Sequence, residues 1–452
     1  MRVHLIAIGG SAMHNMAIAL SLKGYTITGS DDAIYEPSRS RLEKYKVLPP
    51  QLGWFPENIT DDIDAVILGM HARADNPELL RAQQLGLKIY SYPEYIYEQS
   101  KDKIRVVVGG SHGKTTITSM ILHVLRACNK DFDYLVGAQL EGFEAMVKIS
   151  DAPVMIIEGD EYLASPIDRR PKFHLYHANI GIISGIAWDH INVFPTFESY
   201  IEQFKIFLNT ITPGGIIIYN SEDEHVKSIV EKSSAPLTKI GYSEPQSVTE
   251  QGVTSLKVDG ALIPLSVFGR HNLQNLEAAH NACKQLSVSD YDFYQAMGSF
   301  KGAAKRLELL GKNEHTSVYK DFAHSPSKLR ATLNAVKDQF PDRELVAVME
   351  LHTFSSLDKN FLDEYKDCMN TANTAVVFIN RRTFEQKNLE PYTEYEVKKA
   401  FNNDELIFFN NSEILVEFLS YINYKGKNLL LMSSGDFGGI DLGRLADKAL
   451  AI

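Results

Sequence analysis

Short β-branched runs that alternate with amphipathic stretches recur along most of the chain, and this alternation restricts the fold more than any other feature. Near the N-terminus, "VHLIAI", "YTITGSD", "DAVILG" and "LKIYSY" are separated by helical patterns such as "MHNMAIALSLKG". A second series opens at Ile104 with "IRVVV" and continues through "VMIIEGDE", "IGIISGIAWDH" and "GGIIIYN". A third follows "RLELLG" near Leu310, with "TSVYKDFAH", "ELVAVMEL", "TAVVFIN", "ELIFFN" and "NLLLMSSGDFGG". Parallel strands need a long crossover, usually a helix, so each series reads as βαβ units of a parallel sheet. Three α/β blocks in a row suit the 452 residues, a length that accommodates roughly two to four domains. "SSAPLTKIGYSEPQSVTEQG", Ser233 to Gly252, reads as a loop-like insertion.

Charge and cysteine usage exclude several function classes. The net charge is −11 and no long basic run occurs; a nucleic-acid partner, held by clustered Lys and Arg, is not expected. The three cysteines, Cys128, Cys283 and Cys368, are far apart and lack a CxxC or Cys/His ligand pattern. Neither a disulfide framework nor a zinc site is implied, and a reducing, cytoplasmic setting fits. The opening "MRVHLIAIGG" runs straight into a strand and a glycine turn, so no signal peptide or membrane partner is expected.

Two glycine turns stand at strand-to-helix junctions. In the first, "AIGGSAMHNMA", Asp31 lies 21 residues after Gly10, at the end of the next strand. Backbone N–H groups there suit a phosphate, and the carboxylate suits a ribose hydroxyl. The fingerprint G-x-G-x-x-G is incomplete, with Met13 at its third glycine, so a nicotinamide cofactor is not promised. A tight turn without a ligand also accounts for the pattern.

The second turn, "IRVVVGGSHGKTTITSM", carries more chemistry. Its glycine-rich loop forms an anion nest, the helix that follows adds its positive N-terminus, Lys114 reaches terminal phosphates and the Thr115 hydroxyl suits Mg²⁺. Val108 replaces the first glycine of the general pattern. The next strand ends in "IIEGDEY", which brings Glu158, Asp160 and Glu161 to the carboxyl edge of a sheet, where α/β proteins bind ligands. Glu158 is the candidate metal ligand; a solvated turn is the alternative. "AWDHINVF" brings Asp189 and His190 to the same edge, where a neutral imidazole can meet a metal or a ligand oxygen, or serve structure alone.

Six motifs in order then resemble the Mur ligases, the ATP-dependent amide-forming enzymes of peptidoglycan synthesis: "GSHGKTT", "EGDE", "WDHINVF", "GRHNLQNLEAA", "KRLELLG" and "DFAHSPSKL". The resemblance implies an α/β fold of three domains. Residues 1–103 would be Rossmann-like and bind a UDP-sugar through Gly9, Gly10, Ser11, Asp31 and His71. Residues 104–303 would be P-loop ATPase-like, and 304–452 would be Rossmann-like and bring the amino substrate. ATP would be held by Gly110, Ser111, His112, Gly113, Lys114, Thr115 and Thr116, with Asn272 and Asn275 on adenine. Arg306 and Asp321 would close the C-terminal domain over the nucleotide. Thr115, Glu158 and His190 would hold Mg²⁺, and Lys114, Glu158, His190, Arg306 and Asp321 would be catalytic. The implied reaction joins the carboxylate of UDP-N-acetylmuramate to an amine through an acyl phosphate.

Within the family, the segment Asp160 to Phe173, with Asp168, Arg170, Lys172 and Phe173, is similar to the recycling branch, which adds the peptide L-Ala-γ-D-Glu-meso-diaminopimelate. "ELHTFSS", with His352 and Phe354, is similar to the branch that adds L-alanine. Arg170, Lys172, Arg381 and Arg382 are basic candidates for peptide carboxylates. The chain departs from the family pattern at Ala7, His14 and Asn15, at Ser184, Gly185 and Ala187, and at Lys320 and Ser325. These departures leave open a binding protein that kept the fold without turnover.

Overall fold

The computed structural model describes every residue except 139–142, 144, 189–192, 304, 388 and 452, and at 385–387 it describes the backbone alone. Backbone contacts divide the chain into two compact units. The first comprises Met1–Ile186, Ile201–Ser243 and Ala278–Phe293; the second comprises Ala187–Tyr200, Glu244–Glu277 and Tyr294–Ile452.

The first unit holds two sheets. One contains β1 (Arg2–Ile6), β2 (Thr26–Ser30), β3 (Ala65–Leu68) and β4 (Ile89–Ser91), all parallel, in the order β2-β1-β3-β4. The other contains β5 (Ile104–Gly109), β6 (Asp133–Leu135), β7 (Val147–Lys148), β8 (Val154–Glu158), β9 (Ile180–Ile183), β10 (Ile216–Asn220) and β11 (Thr238–Tyr242). Its order is β11-β10-β9-β5-β8-β6-β7, and β7 is antiparallel to β6. Val106, Val107 and Val108 of β5 are wholly buried, as a strand covered on both faces requires. In both sheets the strand before a glycine turn is flanked on its two sides by strands reached through separate crossovers. Such a switch point opens a crevice at the carboxyl ends, which places both turns where a ligand can enter.

One arginine lashes the segment between the two sheets to the second. Arg105, 3% exposed, donates to the carbonyls of Ser100 (2.7 Å), Lys101 (2.9 Å), Lys103 (3.1 Å), Tyr176 (2.9 Å) and His177 (3.0 Å). Its guanidinium also lies over the Tyr97 ring, at 5.2 Å from the centroid. The fork of fixed donors gathers five carbonyls from two stretches of chain.

The second unit holds an antiparallel sheet of β12 (Ser247–Glu250), β13 (Val253–Val258) and β14 (Ala261–Leu265). Its larger sheet contains β15 (Glu308–Lys312), β16 (Ser317–Asp321), β17 (Glu344–Glu350), β18 (Thr374–Phe378), β19 (Ile407–Phe409) and β20 (Lys427–Met432). The order is β15-β16-β20-β17-β18-β19, parallel except for the bulged hairpin β15–β16. Along β17 the side chains alternate between two cores. Leu345, Ala347 and Met349 pack with Leu333 and Val336 of the helix Pro326–Gln339, while Val346 and Val348 pack with Leu445 of the helix Leu442–Leu450.

Most of the alternating runs form the expected strands. The segment Ser233 to Gly252 corrects the loop expectation, since it contributes β11 and β12. β11 pairs in parallel with β10, and β12 pairs with β13. Its side chains are largely exposed and polar, so pairing with strands on either side, rather than apolar alternation, makes it β-structure. No helix among the described residues is long and apolar enough to cross a membrane.

Candidate functional site

After β5 the chain turns through Gly110 (φ 129°) and Gly113 (φ 79°) into the helix Lys114–Ala127. Both φ values lie where only glycine is unstrained. Gly113 supplies no side-chain cap, so the first-turn amides of this helix keep their capacity to bind an anion. Gly110, Ser111, His112, Gly113, Lys114, Thr115 and Thr116 form this one continuous turn. The residues just past β9 seat it: the Ser111 amide donates to the Gly185 carbonyl (2.9 Å), and Ser184 Oγ donates to the His112 carbonyl. A Cβ on Gly185 would collide with the His112 ring, and one on Gly110 with Ser184 Oγ. The two departures Ser184 and Gly185 are thus shaped to the loop. Sequence alone shows only that they end a strand.

The carboxylates after β8 sort by partner. Lys114 Nζ donates to Gly110 O (2.6 Å) and Glu161 Oε2 (2.6 Å). Asp160 Oδ2 faces Lys172 Nζ at 3.4 Å. Glu158, 5% exposed, accepts from Thr115 Oγ1 (2.6 Å) and from the Gly137 amide (2.8 Å), and makes no ion pair among the described residues. Burial raises the Glu158 carboxyl above its ordinary range and Asp160 adds to this, against the Thr115 and Gly137 bonds. Burial lowers the Lys114 ammonium, but Glu161 and Asp160 outweigh it and leave the group above its usual value. A buried carboxylate that touches a threonine hydroxyl offers oxygen donors that fit a hard divalent ion. Gly137 was not a sequence candidate; it follows β6, the neighbour of β8, and only strand order reveals it. Among the described residues no group of three or more His, Cys, Asp and Glu side chains is arranged to hold a metal. Asp189 and His190 lie outside the described residues.

The segment Asp160 to Phe173 folds back on itself through a bridge between Leu163 and Pro171. Arg170 grips Asp168 through Nε (3.0 Å) and Nη2 (2.7 Å) and reaches Glu94 at 3.3 Å. The carboxyl of Asp168 is thereby held below its ordinary value. Arg170 and Lys172, candidates for peptide carboxylates, therefore have acidic partners within the chain. Phe173 packs beneath the turn, where a Cβ on Gly109 would lie 3.3 Å from its ring. It stacks on Phe207 and His174, with centroids 4.9 and 4.6 Å away.

At the first glycine turn the Asp31 carboxylate is bonded to the turn itself. Its Oδ2 accepts from the Gly9 amide (2.7 Å) and its Oδ1 from the Ala33 amide (3.4 Å), so the carboxylate braces the turn itself. Burial raises its carboxyl above the usual value, against the Gly9 bond. Gly10 lies near His71, whose Nδ1 is 3.5 Å from where a Cβ would be. Ser11 begins the helix Ser11–Leu22 and is exposed. Gly9, Gly10, Asp31 and His71 are brought together. His14 and Asn15, which replace family glycines, are buried: His14 Nδ1 meets Gly10 O and Ser38 Oγ, both at 3.0 Å, and Asn15 Oδ1 accepts from the Met146 amide (3.1 Å).

In the second unit, Asp321 accepts from the amides of Leu307 (2.6 Å) and Ala323 (2.7 Å). It thereby holds a tight turn in which Lys305 and Leu307 have positive φ. Arg306 lies over the Phe322 ring, 4.7 Å from the centroid. Lys320 pairs with Glu308 across the β15–β16 hairpin (3.1 Å). Ser325 caps the helix Pro326–Gln339 through its backbone rather than its side chain. Asn272 and Asn275 are buried on the helix Arg270–Gln285, and Asn272 Nδ2 donates to Phe268 O (2.9 Å). Arg381 and Arg382 are exposed at the start of the helix Arg381–Lys387. Glu350 was not a sequence candidate. It ends β17, is 1% exposed, and accepts from Ser433 Oγ and the Phe437 amide (2.9 Å). A Cβ on Gly435 would lie 2.9 Å from both Glu350 and the His352 ring, so the loops after β17 and β20 meet closely. Phe354 is exposed.

Known proteins are similar to this chain along nearly its whole length. Residues 2–103 match the Mur ligase family catalytic domain, 108–283 the Mur ligase middle domain, and 305–435 the Mur ligase glutamate ligase domain. The UDP-N-acetylmuramate–L-alanine ligase of Sulfurihydrogenibium sp. (strain YO3AOP1) is 32% identical over 447 residues, covering 96% of this chain and 95% of that one. The crystal structure of a murein peptide ligase from Psychrobacter arcticus 273-4 superimposes with a TM-score of 0.65 at 23% identity, covering 100% and 99% of the two chains. The UDP-N-acetylmuramate-alanine ligase of Thermotoga maritima gives 0.69 at 21% identity, covering 97% and 96%. With three α/β domains matched in order and a relative at that identity over nearly its whole length, the chain belongs to the Mur ligase family of ATP-dependent, carbon–nitrogen bond-forming ligases.

Proposed function

We propose that this chain activates the carboxylate of UDP-N-acetylmuramate with ATP and couples it to the amine of L-Ala-γ-D-Glu-meso-diaminopimelate. In this reading residues 1–103 hold the sugar nucleotide, 104–303 hold ATP and 304–452 bring the amine. The observation that carries the chemistry is the grouping of Lys114, Thr115 and Glu158 at one sheet edge, beside uncapped helix amides. A carboxylate oxygen is a poor leaving group, so amide formation needs activation. The sugar's carboxylate attacks the γ-phosphorus and ADP leaves, giving an acyl phosphate; the amine attacks its carbonyl carbon, loses a proton, and phosphate departs. The protein's part is alignment and charge neutralisation. Lys114 and the turn amides meet the phosphates. Thr115 and Glu158, with His190, would hold Mg²⁺, which supplies further charge neutralisation. Asn272, Asn275, Arg306 and Asp321 are carried forward as nucleotide contacts. Gly9, Gly10, Ser11, Asp31 and His71 are carried forward for the sugar nucleotide.

The tripeptide acceptor is favoured by the Asp160 to Phe173 segment, which is similar to the recycling branch. L-alanine is the second reading, favoured by the name of the 32% identical relative. One assay decides between them: ADP release with UDP-N-acetylmuramate and either L-alanine or the tripeptide. Turnover with the tripeptide and little with L-alanine is expected, and the reverse selects the second reading. No ADP with either acceptor sinks the ligase reading and leaves a binding protein.

A further inference from the structure

Of the three carboxylates at and just past the end of β8, Glu158, Asp160 and Glu161, the one that bonds Lys114 is Glu161. It is 2% exposed and sits 2.6 Å from Lys114 Nζ, whose other bond, also 2.6 Å, goes to the Gly110 carbonyl. An ammonium has three donors. With two directed at fixed acceptors, one on the turn and one on the strand end, the third has its direction set. Lys114 itself is largely buried, with its side chain 13% exposed, so the arrangement is held by packing as well as by charge. Asp160 acts on the lysine through its charge alone, its ion pair being to Lys172, and Glu158 is engaged by Thr115 and Gly137.

We infer that Glu161 is a positioning residue that aims the Lys114 ammonium at the transferring phosphate. The inference rests on the ATP site proposed above. Ground-state nucleotide affinity comes from many amides of the turn, whereas the transition state depends on charge placed at one point. Neutralising Glu161 also removes a negative charge from the neighbourhood of the phosphates, which offsets any loss in ground-state binding. The effect should therefore fall on kcat and spare binding.

The test uses the full chain, steady-state ligation, and titration with a fluorescent ADP analogue. Glu161→Gln is expected to lower kcat about tenfold or more, with KM for ATP and nucleotide Kd within about threefold of wild type. Glu161→Asp, which keeps the charge on a shorter arm, is expected to have a kcat between the two. An unchanged kcat in Glu161→Gln overturns the inference, as does a loss of nucleotide affinity matching the loss of kcat. If Glu161→Gln fails to fold, a wild-type kcat in Glu161→Asp overturns it equally. Wild-type protein that binds no nucleotide would instead overturn the ATP site itself, so the two failures are told apart.

Discussion

The two glycine turns of the first unit have the same local plan, a buried parallel strand, a glycine loop and a helix without a side-chain cap, yet they use their acidic neighbours in opposite ways. At the first turn Asp31, from the end of the adjacent strand, accepts from the Gly9 amide, so a loop donor is spent on holding the loop. At the second, Glu158 and Glu161 accept from the side chains of Thr115 and Lys114, and the loop is held instead by carbonyl and hydroxyl groups past β9. A carboxylate that grips an amide of its own turn, as Asp31 does, braces that turn, whereas the Gly137 amide held by Glu158 lies outside the glycine turn. A carboxylate that grips a lysine or threonine poises a reactive group. In the proposed reading the same strand-loop-helix geometry serves a platform in one place and phosphate chemistry in the other.

The largest effect expected from this contrast is at Lys114, which has no counterpart in the first turn. Lys114→Ala should reduce ADP release by about 10²- to 10³-fold, the usual consequence of removing one preorganised charge from a phosphoryl-transfer site, while leaving sugar-nucleotide binding intact. Single-turnover ADP formation and equilibrium binding of the UDP-sugar check the two halves. Comparable loss of both would mean that the turns are not separate sites.

The turns also differ in how they are supported from below, and acid should expose this. The second stands on Phe173, stacked on the buried His174, whose Nε2 meets Gln203 O at 2.8 Å. Burial lowers the His174 imidazole to about 4, against the Gln203 bond, and Arg170 lowers it further. The neutral form is the folded form, so its contribution is complete above the unfolded value of about 6.5 and is lost as pH falls toward 4. The loss is roughly 3 kcal/mol across that window. Urea unfolding at pH 7 and pH 5 should show about 2 kcal/mol of it, and His174→Gln, which can still donate to Gln203, should flatten it. His14 in the first turn shifts the same way through burial, so a residual acid sensitivity is expected in that variant.

These contrasts also mark what sequence can reveal. The turn Gly110 to Thr116 was legible because its chemistry is contiguous, with anion nest, lysine and threonine in one run. Glu158 was legible as an acid ending an apolar strand. Gly137, Ser184 and Gly185 were not, because their roles arise from β6 and β9 lying near β5 and β8 in the sheet, an order that no local pattern contains. Asp31 lies in between. Its place at a strand end could be read, but its grip on Gly9 depends on a rotamer that only packing fixes. The apolar runs read as strands form strands, whereas β11 and β12, polar and held by pairing, lay in a stretch read as a loop.

Substitution at Gly9 probes the platform directly. A Cβ there would lie 2.9 Å from Asp31 Oδ2 and 2.9 Å from Ile34, so Gly9→Ala must displace the brace. Overpacking of this kind costs about 1–3 kcal/mol. The expected result is a KM for the UDP-sugar raised about tenfold, equivalent to about 1.4 kcal/mol, with KM for ATP unchanged. A change in both would show that the turns are mechanically linked.

The smallest effect should come from a residue that joins the helix after the first turn to the segment before β7. Asn15 Oδ1 accepts from the Met146 amide (3.1 Å), and its Nδ2 donates back to Ser11 O (2.8 Å). Asn15→Ala leaves the Met146 amide without that acceptor, at about 1–3 kcal/mol if no water replaces it and less if one does. A lowered unfolding midpoint with nucleotide affinity unchanged is the expected outcome. Altered ATP binding in Asn15→Ala would instead mean that the platform and the phosphate turn communicate through this contact, making the departure from glycine at residue 15 a link between them rather than a local repair.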